Sequence, residues 1–330
     1  MKFNKYGFLI HFVLIISMLG LVTAGCEEED TRSSPQTTQP AATETSTPPV
    51  TEEPTPTTPA PTSTDVPPEI PPLDSLKIDF GAFQSLGETS ALPDASQYGF
   101  QLASYERPNE EKSSHGTAAL GDQSYWNHAA FNVGIWSAII VVGLAVPVAA
   151  FAASFHNIPL QQPDGSWVWS YDVRVGGVVH SAELHGKYIA DGVRWDMYIS
   201  KDGHYSDFHW FYGESDLPAT EGFWVLKNKP SDPTDLLRID WHRSIEDGTG
   251  DIKYTNIVPG GPENGGYIYM ENTDDTPYGS YWDIYNKGKD NHTYIEWNRN
   301  TQTGRVKDAK RFGDSQWHCW DSNHKNTECP

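Results

Sequence analysis

The sequence predicts a mainly β protein, an antiparallel meander forming a curved sheet or a barrel that packs around one apolar helix at about residues 124–152. Three observations predict this fold. From residue 166 onward, short runs of aromatic and β-branched residues alternate with polar ones. Turn sequences such as residues 163–165 and 190–192 separate the runs without a helix-length crossover, which indicates antiparallel pairing. Upstream, residues 123–163 contain no Asp, Glu, Lys or Arg, so a helix there must be enclosed.

The chain begins with the anatomy of a secretory signal. A positively charged start precedes an apolar run at residues 8–22, and small residues follow. Residues 21–26, LVTAGC, resemble the lipobox of bacterial lipoproteins. This resemblance implies that Cys26 receives a diacylglyceryl group on its thiol and that a peptidase removes residues 1–25. Ordinary cleavage after Ala24 is the alternative.

An acylated Cys26 would hold the chain to a membrane, because lipidated bacterial proteins carry more than one acyl chain and two chains anchor stably. The acidic residues 27–30 resemble the surface-export signal of some Gram-negative lipoproteins. A solvated start to a disordered tail is the alternative. We expect a lipid-anchored protein of the bacterial cell envelope, at the outer membrane or cell surface rather than the inner membrane.

A stalk and one globular domain follow the signal. Residues 26–72 are rich in Thr, Pro, Ser and acids, and such a segment buries too little apolar surface to fold. We therefore expect a disordered linker there and a single domain over residues 73–330. Within that domain the sequence predicts an irregular lead-in at 73–122, a buried apolar helix at 123–155, and antiparallel strands at 164–330.

The apolar helix has the length of a membrane span at residues 133–155. We expect a buried helix instead, because neither flank carries the Lys and Arg cluster that fixes orientation. A span would also separate the C-terminal Cys residues from the lipid side. Pro147 should kink or end the helix, and Asp122 or Ser124 should be its N-cap.

The strand region shows two faces wherever apolar and polar residues alternate, as at 193–199, 237–242 and 295–298. Each such run predicts a strand with one apolar and one polar face. No repeat of fixed length accompanies the runs, which argues against a propeller.

Two cysteines lie near the C-terminus. Cys319 and Cys329 are expected to form a disulfide, since an exported chain meets an oxidising compartment. A metal site that adds His318 and His324 is the alternative, although the spacing is not a standard zinc signature. We expect no metal ion and no cofactor.

No motif names a reaction. The chain has no Gly-x-Ser-x-Gly and no Walker loop, so no catalytic residue is assigned. Two carboxylates on facing strands could serve a glycoside hydrolase, and the candidates are Glu183, Asp196, Asp207, Asp240, Asp283 and Glu296. They could equally be solubilising positions paired across strands with Arg194, Arg238 and Arg299. The net charge of −21 opposes non-specific nucleic-acid binding.

Aromatic residues make up 12% of the chain and include 12 Trp. Such rings suit strands, cores and carbohydrate-contacting surfaces. We therefore expect a non-catalytic binding domain for a glycan, a lipid or another envelope protein. A row of exposed Trp or Tyr would favour a glycan, and an apolar cavity a lipid. The alternatives are the glycoside hydrolase and a structural envelope lipoprotein without a ligand. The candidate ligand-contacting rings are Trp195, Trp210, Trp241, Trp282 and Trp297.

Overall fold

A computed structural model of the chain describes residues 65–77, 122–273 and 277–330. All of them belong to one unit, Pro59–Pro330. The expected signal, the lipidated Cys26 and the stalk up to residue 64 lie outside the described residues, as does most of the lead-in.

In the described part of the chain, fourteen antiparallel strands form a single sheet, and each strand pairs with the next one along the chain. The meander and the mainly β class are thereby confirmed. The first and last strands are its two edges, so the sheet stays open, which agrees with the curved sheet of the prediction. The strands are β1 (Leu160–Gln161), β2 (Trp167–Val175), β3 (Val178–Ile189), β4 (Gly192–Lys201), β5 (Tyr205–Ser215), β6 (Glu221–Lys229), β7 (Asp232–Arg243), β8 (Gly250–Asn256), β9 (Tyr267–Asn272), β10 (Ser280–Asn286), β11 (Asn291–Trp297), β12 (Gly304–Lys307), β13 (His318–Trp320) and β14 (Asn326–Thr327).

The apolar segment forms two consecutive helices where the sequence predicted one. They are α1 (Ser124–Gly143) and α2 (Ala145–Ser154), and a short α3 (Ala309–Phe312) comes later. The chain leaves helical geometry at Leu144, which has φ −108° and ψ 10°. Pro147 lies in the first turn of α2, where its missing N–H costs no intrahelical hydrogen bond. Within the described ranges, no helix is long and apolar enough to cross a membrane.

The N-terminus of α1 is capped by the residue before Gln123 and by a residue near the C-terminus of the chain. Gln123 occupies the N-cap position and makes no side-chain cap, contrary to the expectation for Asp122 or Ser124. The Asp122 carboxylate nevertheless accepts a hydrogen bond from the Ser124 N–H at 2.7 Å. Asn326 Oδ1 accepts the Tyr125 N–H at 3.1 Å. The C-terminal hairpin therefore satisfies one amide group that the helix itself leaves unpaired.

One face of the sheet, the core face, packs against the helices. α1 contacts β11–β14, and α2 contacts β2–β4. Alternate residues of the strands point to this face and form one continuous cluster with both helices. Its largest fully buried side chains include Phe151, Trp195, Phe211, Trp224, Tyr254, Trp282, Trp297 and Trp320.

Residues 65–77 also dock on the core face. Trp224 Nε1–H donates to Ser75 Oγ at 3.1 Å, and the Tyr254 hydroxyl donates to the Leu76 carbonyl at 2.8 Å. The Tyr188 hydroxyl donates to the Val66 carbonyl at 3.2 Å. The folded domain therefore begins earlier than the expected residue 73.

A buried carboxylate fastens α1 to the sheet. Asp308 is 3% exposed and lies between β12 and α3. Its Oδ2 lies 2.9 Å from His128 Nε2 on α1 and accepts from the Thr293 hydroxyl at 2.8 Å. Its Oδ1 accepts from Asn291 Nδ2 and from the Arg311 N–H, both at 3.0 Å. Burial alone would raise the pKa of Asp308, but the hydrogen bonds led by His128 outweigh it and lower the pKa to about 2.

The expected disulfide is confirmed. Cys319 and Cys329 are bonded, with their Cα atoms 5.2 Å apart. The bond closes the β13–β14 hairpin. Trp320 is buried there, and its Nε1–H donates to the Gln302 carbonyl at 3.1 Å. In the described part of the chain, no group of three or more His, Cys, Asp or Glu residues could hold a metal ion.

Candidate functional site

The five tryptophans expected to contact a ligand all lie in the core cluster. The most exposed of them is Trp210, at 7%, and Trp195 and Trp282 are fully buried. They occupy the apolar positions of the strand alternation, so they point away from solvent. These rings lie inside the core cluster and do not offer a ligand-contacting surface.

The opposite side of the sheet, the outer face, carries a different set of rings. Seven partly exposed side chains on three adjacent strands form a compact array, which we call the tyrosine patch. Its members are Tyr267 and Tyr269 on β9, Tyr281, Asp283 and Tyr285 on β10, and His292 and Tyr294 on β11. Strand register places Asp283 at the centre, directly opposite Tyr269 on one side and Tyr294 on the other.

Asp283 holds the centre of the patch through two hydrogen bonds. Its Oδ2 accepts from the Tyr267 hydroxyl at 2.7 Å, and its Oδ1 lies 2.8 Å from His292 Nδ1. A carboxylate has about four lone-pair sites. Two acceptor sites of Asp283 therefore remain for a ligand hydroxyl or amide.

The rings of the patch are held in place by stacking and by lysine side chains. Tyr285 and His292 stack with centroids 4.5 Å apart, and His292 stacks on Tyr294 at 5.4 Å. Lys253 Nζ lies 4.0 Å from the Tyr267 ring centroid, and Lys307 Nζ lies 4.7 Å from that of Tyr294. These cation–π contacts restrain the rings and place the ammonium groups beside them.

The patch tyrosines are hydroxyl donors at neutral pH. Burial, with the Asp283 charge as a second cause, raises the pKa of Tyr281 to about 12. Burial also raises the pKa of Tyr267, helped by its hydrogen bond to Asp283, and the pKa of Tyr269, helped by Asp251. All three therefore stay protonated; the Tyr267 hydroxyl donates to Asp283 and the Tyr269 hydroxyl donates to Glu271, at 3.2 Å.

A second cluster lies on the outer face of β4 and β5. Asp196 Oδ1 lies 2.8 Å from His209 Nε2, and Arg194 donates two hydrogen bonds to the same carboxylate. His209 stacks on Tyr198 at 4.8 Å. Burial would raise the pKa of Asp196, but the hydrogen bonds from His209 and Arg194 outweigh it and lower the pKa. A hydrolytic general acid needs the opposite shift.

Between the two clusters, the outer face carries an open groove of about 690 Å³, which we call the outer groove. Phe223, Arg238 and Asp240 line it together with residues of the turn at 189–191. The Arg238 guanidinium lies 4.2 Å from the Phe223 ring centroid, and its Nε donates to Asp240 Oδ1 at 2.8 Å. The groove thus presents a guanidinium plane stacked on an aromatic ring.

The strand carboxylates considered for a glycoside hydrolase are all hydrogen-bonded. Arg194 and Arg238 pair with acids two residues along their own strands, and Arg194 also forms a cross-strand pair, at 3.6 Å, with Glu214 directly opposite it. Arg305 forms a cross-strand pair with Glu296, at 2.6 Å. Three carboxylates remain. Glu183 is bonded to Ser170 and His185, Asp207 to Ser200, and Asp283 to Tyr267 and His292.

Sequence reasoning passed over the tyrosine patch, although its signal was present. Tyr281, Asp283 and Tyr285 are the polar positions that alternate with Trp282 and Ile284. The predicted ligand-contacting residues were tryptophans, and tryptophan occupies the buried positions of that alternation. Tyrosine suits the outward positions of the strand, because its hydroxyl stays in contact with water and polar neighbours.

Comparison of the chain with protein-family models, with curated proteins and with solved structures gives no match.

Proposed function

We propose that the outer face of the sheet is a non-catalytic glycan-binding surface, displayed at the cell envelope by a lipid anchor on Cys26. The tyrosine patch carries this proposal. Five tyrosines and a histidine surround Asp283 on an exposed sheet face. Sugars present C–H faces that pack on aromatic rings and hydroxyls that hydrogen-bond to carboxylates, so this mixture of groups suits them.

The patch suits a sugar better than a protein or a lipid. The centre of a protein interface is apolar and depleted in charge, whereas the patch is built around a carboxylate. The exposed aliphatic side chains of the described residues, such as Ile158, Leu160 and Leu217, lie elsewhere. A lipid needs an apolar cavity, and the outer groove is open and lined by several charged residues.

The anchor and the stalk complete the proposal. The LVTAGC sequence that ends at Cys26 resembles the lipobox, and the Thr- and Pro-rich linker would separate the domain from the membrane. A protein held in this way could keep a polysaccharide of the envelope or of the surroundings close to the cell.

The proposal is tested by retention of the full chain, in mild detergent, on insoluble cellulose, chitin, xylan and peptidoglycan. We expect retention on at least one of them. Tyr269→Ala and Tyr281→Ala should each reduce retention about tenfold, the effect of removing one stacked ring worth about 1.4 kcal/mol. Phe155→Ala, which removes a ring 41% exposed outside the patch, should leave retention unchanged.

A conservative variant separates stacking from hydrogen bonding. Tyr281→Phe keeps the ring and removes only the hydroxyl, so it should retain more binding than Tyr281→Ala. The proposal fails if the chain is retained on none of the four polysaccharides. It also fails if the patch variants bind as the wild type does. A role as a structural envelope protein without a ligand would then be the better interpretation.

A further inference from the structure

We infer that the ligand is a linear, uncharged polysaccharide that crosses the strands at right angles and reaches from the tyrosine patch to the outer groove. This inference rests on the proposed function and adds the path, the length and the charge of the ligand. The strand register, the spacing of the rings and the pairing of the charges support it.

The register forms one straight row of outward side chains over six strands. From β11 to β6, the directly opposed residues are Tyr294, Asp283, Tyr269, Lys253, Asp240 and Phe223. Adjacent strands lie about 4.8 Å apart, so the row spans roughly 24 Å. One end of the row belongs to the tyrosine patch and the other end to the outer groove.

The rings in this row have the spacing of an extended sugar chain. Tyr294 and Tyr269 are separated by two strand spacings, roughly 10 Å, with the Asp283 carboxylate between them. That distance matches about two consecutive pyranose units. Phe223 lies three strands beyond Tyr269, and Asp240 is its direct neighbour in the row. A chain lying along the row would therefore meet rings and carboxylates in turn.

Each charged side chain of the row has a neighbouring side chain of the protein as its partner. Asp240 is hydrogen-bonded by Arg238, Asp283 receives hydrogen bonds from its patch neighbours, and Lys253 lies over the Tyr267 ring. No single sign of charge runs along the row. The chain as a whole carries a net charge of −21, which repels polyanions. Glu214 and Glu221, which line the outer groove, add to this repulsion, so the ligand assigned to the row is an uncharged sugar and not a polyanion.

The inference is tested by calorimetric titration of the full chain with cello-, chito- and xylo-oligosaccharides of two to eight sugars. In the series that binds, affinity should rise with length up to about five sugars, the number that the row of roughly 24 Å holds, and should then stay level. Phe223→Ala should weaken binding of the six-sugar probe about tenfold and leave the two-sugar probe unchanged. Tyr269→Ala should weaken binding of both probes.

A second Phe223 variant and a polyanionic probe serve as controls. Phe223→Leu preserves side-chain volume without the ring, so it replaces Phe223→Ala if circular dichroism shows that the latter is unfolded. Polygalacturonate serves as the polyanionic probe and should bind at least tenfold more weakly than the uncharged probe.

Each result decides between the two proposals. Equal affinity for two and six sugars, or equal loss for both lengths in the Phe223 variant, would overturn the extended path while leaving the patch as a glycan site. Polygalacturonate binding as tight as that of the uncharged probe would overturn the charge argument. If none of the three series binds, the inference fails, and retention on the polysaccharides then decides the proposed function separately.

Discussion

Replacement of Asp308 by alanine should destabilise the domain strongly, because this carboxylate joins three elements. The substitution leaves His128, Asn291 and Thr293 facing a buried site without their common acceptor. It also removes the side-chain oxygen that accepts the Arg311 N–H at the start of α3.

The size of the effect follows from burial and from the number of partners. The Asp308 side chain is 4% exposed, so solvent cannot replace the lost contacts. Breaking a buried, charged hydrogen-bond network by removing one partner costs about 3–5 kcal/mol. For a domain of this size, that corresponds to a fall in Tm of roughly 6–20 °C.

The measurement is thermal and urea unfolding of the Asp308→Ala variant beside a matched control. Asp314→Ala is that control, because Asp314 Oδ1 also lies 3.0 Å from a histidine, His318, while its side chain is 45% exposed. Exposed pairs contribute under about 1 kcal/mol. If the two variants lose the same stability, Asp308 does not fasten the fold and the reasoning is wrong.

The lowered pKa of Asp308 predicts that the free energy of unfolding decreases at low pH. The pKa of Asp308 falls to about 2 in the folded state, against about 3.9 in an unfolded chain. A carboxyl group with a lowered folded pKa stabilises the protein above its unfolded pKa, and this stabilisation is lost as the pH falls toward 2. The contribution is roughly 2–3 kcal/mol. Unfolding between pH 4.5 and 2 should show that loss in the wild type and a smaller loss in Asp308→Asn.

Three further outcomes are expected. Replacing Cys319 and Cys329 by serine should cost roughly 2–3 kcal/mol. Because Asn326 caps α1, hydrogen exchange should then rise at the start of α1 as well as in the C-terminal hairpin, and a rise throughout the central strands would contradict this. A palmitate analogue should label wild-type cells and not Cys26→Ala cells, so equal labelling would exclude acylation at that thiol. An exported chain of residues 59–330 should stay in the aqueous fraction without detergent, and recovery only from membranes would refute the buried-helix interpretation.

The strand alternation was enough to predict the meander. At residues 193–199, the apolar members are buried on the core face and the polar members lie on the outer face. That pattern determines which side of each strand is covered, since a slip of one residue would exchange the two faces. Consecutive strands joined by short turns then pair with their neighbours in chain order.

The break in the apolar segment could not be predicted in the same way. A segment that is apolar on all sides has no periodicity from which a change of helix axis could be detected. Pro147 was the visible signal, but proline is tolerated in the first turn of a helix, and the break therefore lies three residues earlier, at Leu144. The docking of residues 65–77 was also missed, because two of its hydrogen bonds use the carbonyls of Val66 and Leu76, which no side-chain pattern reveals.

Two aspartate–histidine pairs show why residue type alone did not locate the site. Asp308 with His128 and Asp283 with His292 have nearly equal separations, 2.9 and 2.8 Å. Asp308 is buried and receives four hydrogen bonds, so its acceptor capacity is used within the protein. Asp283 lies on the outer face, where its side chain is 16% exposed and two acceptor sites stay open. The first pair can only stabilise the fold, whereas the second retains the capacity to bind a ligand.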